Sequence, residues 1–182
     1  DTLFMSPTQI KPKLIKLIEK ERKHGPKGHI ILKANSLVDA DIIKALYTAS
    51  QKGCKVDLII RGICCLKPGI KGISENITVS SVIGKYLEHA RIMIFCNNDD
   101  PKYFIGSADW MERNLDRRIE VTCPIYDKNI QDELRFIFDL QWKDNVKARQ
   151  IDANSKNEYR KTGKKANTRA QMEFYKYYSE NQ

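Results

Sequence analysis

The sequence predicts an α/β fold, a mixed β-sheet flanked by helices. Three observations carry that prediction. Two apolar runs at residues 29–32 and 54–60 bracket a helical stretch at 39–52, which is the order of a βαβ unit with parallel strands and a right-handed crossover. Three more strand-like runs, at 77–82, 90–96 and 103–107, follow without intervening helices, so part of the sheet must be antiparallel. After Asp127, Ile130, Leu134, Ile137, Phe138 and Trp142 recur on one helical face that needs a sheet to cover it.

In chain order, Ser6-Pro7 reads as a helix start, with a hydroxyl cap and Pro at the first helical position. Ile10, Leu14, Leu17 and Ile18 continue it with helical period until Gly25-Pro26. Gly53 closes the second helix, and residues 54–60 form a strand buried on both faces, broken mainly by Asp57. Residues 62–76 hold three glycines and a proline, a long loop leaving a buried strand, where ligand sites gather in open α/β sheets. Residues 97–101 are a turn that makes the flanking strands a hairpin, and a last strand at 118–123 stops at Pro124. From 154 to 169 apolar residues nearly vanish while Lys156, Arg160, Lys161, Lys164, Lys165 and Arg169 concentrate charge, before a short aromatic helix.

The chain has 182 residues, 41% of them hydrophobic and 30% charged, enough apolar material for one core. No apolar run reaches the roughly 18 residues needed to span a bilayer. The opening Asp1-Thr2-Leu3-Phe4 reads like the interior of a longer chain. Lys and Arg outnumber Asp and Glu by 32 to 23, a net charge of +9 that points to an anionic partner such as nucleic acid, nucleotide or polyphosphate. The five cysteines, odd in number and without a CxxC pair, argue against disulfides and zinc and fit buried thiols in a reducing, cytoplasmic compartment.

The sequence has no GxxxxGK[ST], GxGxxG or GxSxG motif and no histidine pair at metal-ligand spacing, which argues against a self-contained nucleotide kinase of a standard kind. What remains is His89-Ala90-Arg91 followed by Gly106-Ser107-Ala108-Asp109. On a strand His89 and Arg91 would share a face, with Ser107 and Asp109 beside it. An imidazole next to a guanidinium makes sense when a phosphate lies between them. Arg61 ends a buried strand where the long loop begins, a place for a guanidinium to fork onto phosphate oxygens, or to pair with Glu75 or Asp109. Arg118 begins the next strand, free for the same role or bridged to Glu120 or Asp116.

The His-x-Arg and Gly-Ser-Ala-Asp pair resembles the phospholipase D superfamily, with Arg91 in the usual lysine position and only one of two half-sites. A more specific resemblance lies in Val56 to Gly69, Gly72 to Ile77, Tyr86-Leu87-Glu88-His89, Ser107 to Val121, and Val146-Lys147-Ala148-Arg149. Together and in that order these blocks are similar to the C-terminal catalytic domain of the long-chain bacterial polyphosphate kinases.

The resemblance implies residues 1–153 as a phospholipase D-like domain, with the basic tail and short helix of 154–182 packed on it. It implies reversible transfer of the terminal phosphate of ATP to polyphosphate, through a phosphohistidine in a preceding domain of the same chain. The implied partners are ATP or ADP, polyphosphate and that domain, in a homo-oligomer with no membrane span. The implied location is cytoplasmic, with peripheral membrane association open. Magnesium would serve the reaction, held mainly outside this segment. His89 would act on the nucleotide phosphates, and Arg61 and Arg118 would hold phosphate charge; apart from the resemblance, spacing alone suggests that Asp109 orients His89. The competing expectations are a homodimeric phosphodiesterase or nuclease and a nucleic-acid-binding module.

Overall fold

The computed structural model describes residues 3–154, 156–160 and 167–180. The described residues form one sheet from β1 (Phe4–Met5), β2 (His29–Ala34), β3 (Lys55–Ile60), β4 (Ile77–Val82), β5 (Ile92–Phe95), β6 (Lys102–Gly106), β7 (Val121–Ile125), β8 (Ala148–Ile151) and β9 (Glu158–Tyr159). Their order across the sheet is β1-β7-β6-β5-β2-β3-β4-β8-β9. The central β2, β3 and β4 run parallel, and the strands outside them pair antiparallel, so the mixed sheet is as expected.

Two helices, α1 (Ile10–Arg22) and α2 (Ala40–Gln51), cover one face. Ile10, Leu14, Ile18, Ile42 and Leu46 pack there with Ile30, Leu32, Leu58, Val79 and Phe95 of the strands. On the other face α3 (Lys128–Lys143) lays Phe138, Leu134 and Ile137 against Ile31, Ile59, Ile92 and Ile94. The alternation along β2 and β3 therefore feeds two cores, which is why both strands read as continuous apolar runs. The last helix, α4 (Ala170–Glu180), packs on α3 through Phe136, whose ring lies 4.6 Å from Tyr177 and 6.3 Å from Phe174.

Several boundaries differ from the sequence reading. The first helix begins at Ile10, not at Ser6-Pro7, because the Ser6 hydroxyl is used elsewhere: it donates to Arg118 O at 2.7 Å and accepts from Glu120 N at 3.0 Å. The strand expected at 118–123 begins at Val121, since residues Arg113–Arg117 form a single π-helical turn that ends at Arg118. It also runs through Pro124. β1 pairs only with Val121 and Thr122, so the strand is an edge from there on and a missing N–H is tolerated.

Of the thiols, Cys54 is buried but Cys65 is exposed, against the expectation that all are packed away. Burial pushes the Cys64 thiol up to about 11 and the Cys54 thiol to about 12, so neither is a thiolate at neutral pH. In the basic run, Arg160 is occupied: it donates to Trp142 O and lies 5.2 Å over the Trp142 ring. Lys161, Lys164 and Lys165 lie outside the described residues.

Candidate functional site

The site lies beyond the carboxyl ends of β2 and β3, the crevice where open α/β sheets bind ligands. Cross-strand register places Lys33 beside Ile59, so two residues further on Asn35 and Arg61 leave their strands as neighbours. Arg61 donates from Nε and an NH2 group to Asn35 Oδ1 at 3.1 and 3.0 Å. That amide contact replaces the pairing with Glu75 or Asp109 considered from sequence. The amide neutralises none of the guanidinium charge, so Arg61 keeps a full positive charge for an anion.

Asn35 also touches Asp109, which is the hub of the site. Asp109 Oδ1 accepts from Asn35 N at 2.8 Å and Ser36 N at 3.2 Å, and Oδ2 accepts from Asn35 Nδ2 at 3.3 Å. Arg91 completes the set with a fork, Nε to Oδ1 at 3.3 Å and NH2 to Oδ2 at 2.9 Å. Burial opposes ionisation of Asp109, but Arg91 and the Asn35 amides outweigh it and hold the carboxyl below the usual aspartate range.

His89 is exposed, at the outer end of this chain of contacts. Arg91 NH1 lies 3.2 Å from His89 Nδ1 and donates to His89 O at 3.0 Å. Arg91 NH2 also lies 3.5 Å from His89 Nε2, so the guanidinium faces both ring nitrogens. His89 and Arg91 do meet, though not as strand neighbours, for β5 begins only at Ile92. Asp109 does not touch His89. Arg91 lies between them, bonded to Asp109 and in contact with His89. An apolar groove of about 510 Å³ opens beside the imidazole, walled by Ile92, Ile105, Val121, Leu134 and Ile137.

Arg118 is not brought into this cluster. It is exposed just after the π-helical turn, and among the described residues its guanidinium pairs with neither Glu120 nor Asp116. Ser107 is likewise committed elsewhere, donating to Glu120 and accepting from Val121 N at 3.1 Å. The close approach that Gly106 allows is to β7: a Cβ there would lie 2.9 Å from Thr122 Oγ1.

Sequence reasoning missed Lys33, Asn35 and Glu88. Lys33 is only 3% exposed and lies 3.5 Å from Glu88 Oε2. Burial pushes its ammonium below the ordinary lysine value; Glu88 opposes that shift, and Arg61 and Arg91 add to it. The available signal was a lysine inside the apolar run Ile30-Ile31-Leu32-Lys33-Ala34, one residue past the predicted strand end. Both carboxylates here are occupied by cations and amides, and no three metal-ligating side chains gather among the described residues. The donors present do not fit a magnesium cage.

A parallel core with antiparallel flanks, helices packed on both faces, is a phospholipase D-like fold. Nuc, a phospholipase D family member from Salmonella typhimurium, superposes with a TM-score of 0.62 over 82% of this chain and 96% of its own, at 18% identity, a likeness of fold. Within that class, the family model for polyphosphate kinase C-terminal domain 2 matches residues 3–171, and the chain belongs to that family.

Polyphosphate kinase from Helicobacter pylori strain J99 is 55% identical over 161 residues, 88% of this chain and 23% of the relative. The Vibrio vulnificus YJ016 enzyme is 44% identical over 178 residues, 96% of this chain and 25% of its own. The crystal structure of polyphosphate kinase from Porphyromonas gingivalis superposes with a TM-score of 0.94 at 40% identity, covering all of this chain and 28% of that one. The chain thus spans about a quarter of the relatives it matches. Among the described residues no helix is long and apolar enough to cross a membrane.

Proposed function

We propose that this chain is the part of a polyphosphate kinase that grips the phosphates while a preceding domain carries the phosphohistidine. The reaction would move the terminal phosphate of ATP reversibly onto polyphosphate. One observation carries the reading: the exposed His89 is tied through Arg91, Asp109 and Asn35 to Arg61, so an imidazole and two guanidinia are fixed at one strand end.

Phosphoryl transfer asks mainly for positioning and charge neutralisation. Arg61 and Arg91 would supply fixed positive charge, and a ring N–H of His89 would donate to a phosphate oxygen as charge develops there. Asp109 would act as a positioning residue by holding Arg91. Arg118, exposed and outside the cluster, would meet the phosphate chain further from the reacting atoms. Magnesium would be held mainly by the preceding domain and would supply further neutralisation of phosphate charge.

The test uses the full-length enzyme with radiolabelled ATP. His89→Ala should slow turnover by about two to four orders of magnitude, the loss of a general acid. The trapped phosphoryl label should map to a histidine outside residues 1–182. Label on His89 itself, or near-normal turnover of the variant, would overturn this division of labour.

A further inference from the structure

The segment that presents His89, residues 83–90, has no backbone hydrogen bond to a strand among the described residues; the ladder begins at Arg91, whose carbonyl accepts from Gly106 N at 3.3 Å, so it does not fix the imidazole itself. Side chains fix it instead. Gln171 of α4 accepts from Tyr86 N at 2.9 Å and donates to Tyr86 O at 2.7 Å, doing for this segment what a neighbouring strand would do. Gly84 makes room for that amide, because a Cβ there would fall on Gln171 Oε1.

Glu88 gathers the remaining contacts. Its Oε1 accepts from Gln171 Nε2 at 3.1 Å, its Oε2 accepts from Gln141 Nε2 of α3 at 2.8 Å, and Lys33 Nζ lies 3.5 Å from Oε2. Lys33 also donates to Ala90 O at 3.3 Å. The residues on both sides of His89 are therefore tied to buried groups, for Lys33, Gln141 and Gln171 are 3%, 1% and 4% exposed. Gln141 Oε1 is buried without a partner, so this amide is spent on holding Glu88 rather than on satisfying itself. The arrangement joins three elements, β2, α3 and α4, under one exposed side chain.

We propose that Glu88 is a positioning residue of this site: clamped by Lys33, Gln141 and Gln171, it holds the adjacent imidazole at the mouth where the phosphate chain arrives. The inference rests on the role given to His89 above. Burial also keeps the Lys33 ammonium below its ordinary pKa, so the charge of Glu88 is what keeps that cation tolerable beneath Arg61 and Arg91. Among the described residues Lys33 is the cation in contact with Glu88, and Arg61 and Arg91 act on Lys33 in turn.

The experiment measures kcat, KM for ATP, pH profile and melting temperature on the full-length enzyme, with His89→Ala as the reference. Gln171→Glu keeps the acceptor for Tyr86 N but loses both donors and sets a second carboxylate beside Glu88. Its kcat should fall by about 10- to 100-fold with KM changed by less than about 3-fold, the signature of lost orientation rather than lost binding. Part of the loss should return as pH is lowered toward about 6, where two facing carboxyls share a proton. A merely structural role would not give that acid recovery.

Glu88→Gln can still accept from Gln171 and can donate to the unpartnered Gln141 carbonyl, so kcat should fall by only about 3- to 10-fold without acid recovery. If Gln171→Glu melts too low to assay, Glu88→Gln decides alone, and a kcat within about 2-fold of the parent overturns the proposal. A parental kcat and pH profile for Gln171→Glu, while His89→Ala is crippled, also overturns it. An active His89→Ala instead removes the underlying reading and the proposal with it.

Discussion

Asp109 shows how much one side chain can be asked to do. It accepts five hydrogen bonds, three on Oδ1 and two on Oδ2, from Asn35, Ser36 and the Arg91 fork. Its acidity and its partners make a stability prediction with a sign. The folded-state pKa lies below the unfolded value, near 3.9. The stabilisation is therefore complete above about pH 4 and is lost as pH falls through the lower folded value, because the unfolded chain binds the proton more readily in that window. Asp109→Asn leaves Arg91 without its charged partner and should cost about 3 kcal/mol at pH 7. Measured by denaturant unfolding, the gap between parent and variant should shrink toward pH 3. A gap unchanged by pH would mean that the ionised carboxylate is not what matters there.

At the scale of elements, what was legible in the sequence was what local chemistry decides. Asp127 caps its helix as its position suggests, and Asp39, read as the first residue of the second helix, caps it in the same way, each accepting from the N–H groups two and three residues on. The Gly53 stop and the βαβ order were readable for the same reason. Ser6 carried the same local signal and misled, because a distant backbone, at Arg118 and Glu120, recruits its hydroxyl. A capping side chain can serve only one master, and only tertiary structure says which. The same limit hid half the site. His89, Arg91 and Asp109 were found because they lie in a short motif, whereas Asn35 and Lys33 meet them only through strand register. The cap gives a direct test: Asp39→Ala should cost about 1–2 kcal/mol. It also removes one of the Lys11 contacts, at 2.9 Å, that tie α1 to α2. Thermal melting of the variant checks it, and an Asp39→Asn change, which keeps an acceptor, should recover most of the loss.

For the whole molecule, the net charge of +9 and the short length relative to its relatives belong to one argument. The cluster holds three cations, Lys33, Arg61 and Arg91, against two carboxylates, Glu88 and Asp109, so it is modestly positive and aimed outward through Arg61 and His89. Under the proposed function that charge attracts a polyanion, while the phosphoryl carrier lies outside these residues. The isolated 182-residue chain should therefore bind long polyphosphate weakly. Binding should weaken as salt rises from about 0.05 to 0.5 M, because the surface charges are separated by more than the Debye length at the higher value. On the same reading, turnover from ATP should be undetectable with these residues alone and should be present in the full-length enzyme. Binding that ignores salt would point to specific contacts other than charge. Synthesis by the isolated chain would place the phosphoryl carrier within these residues, and His89, the most exposed nucleophile of the cluster, would then have to be that carrier.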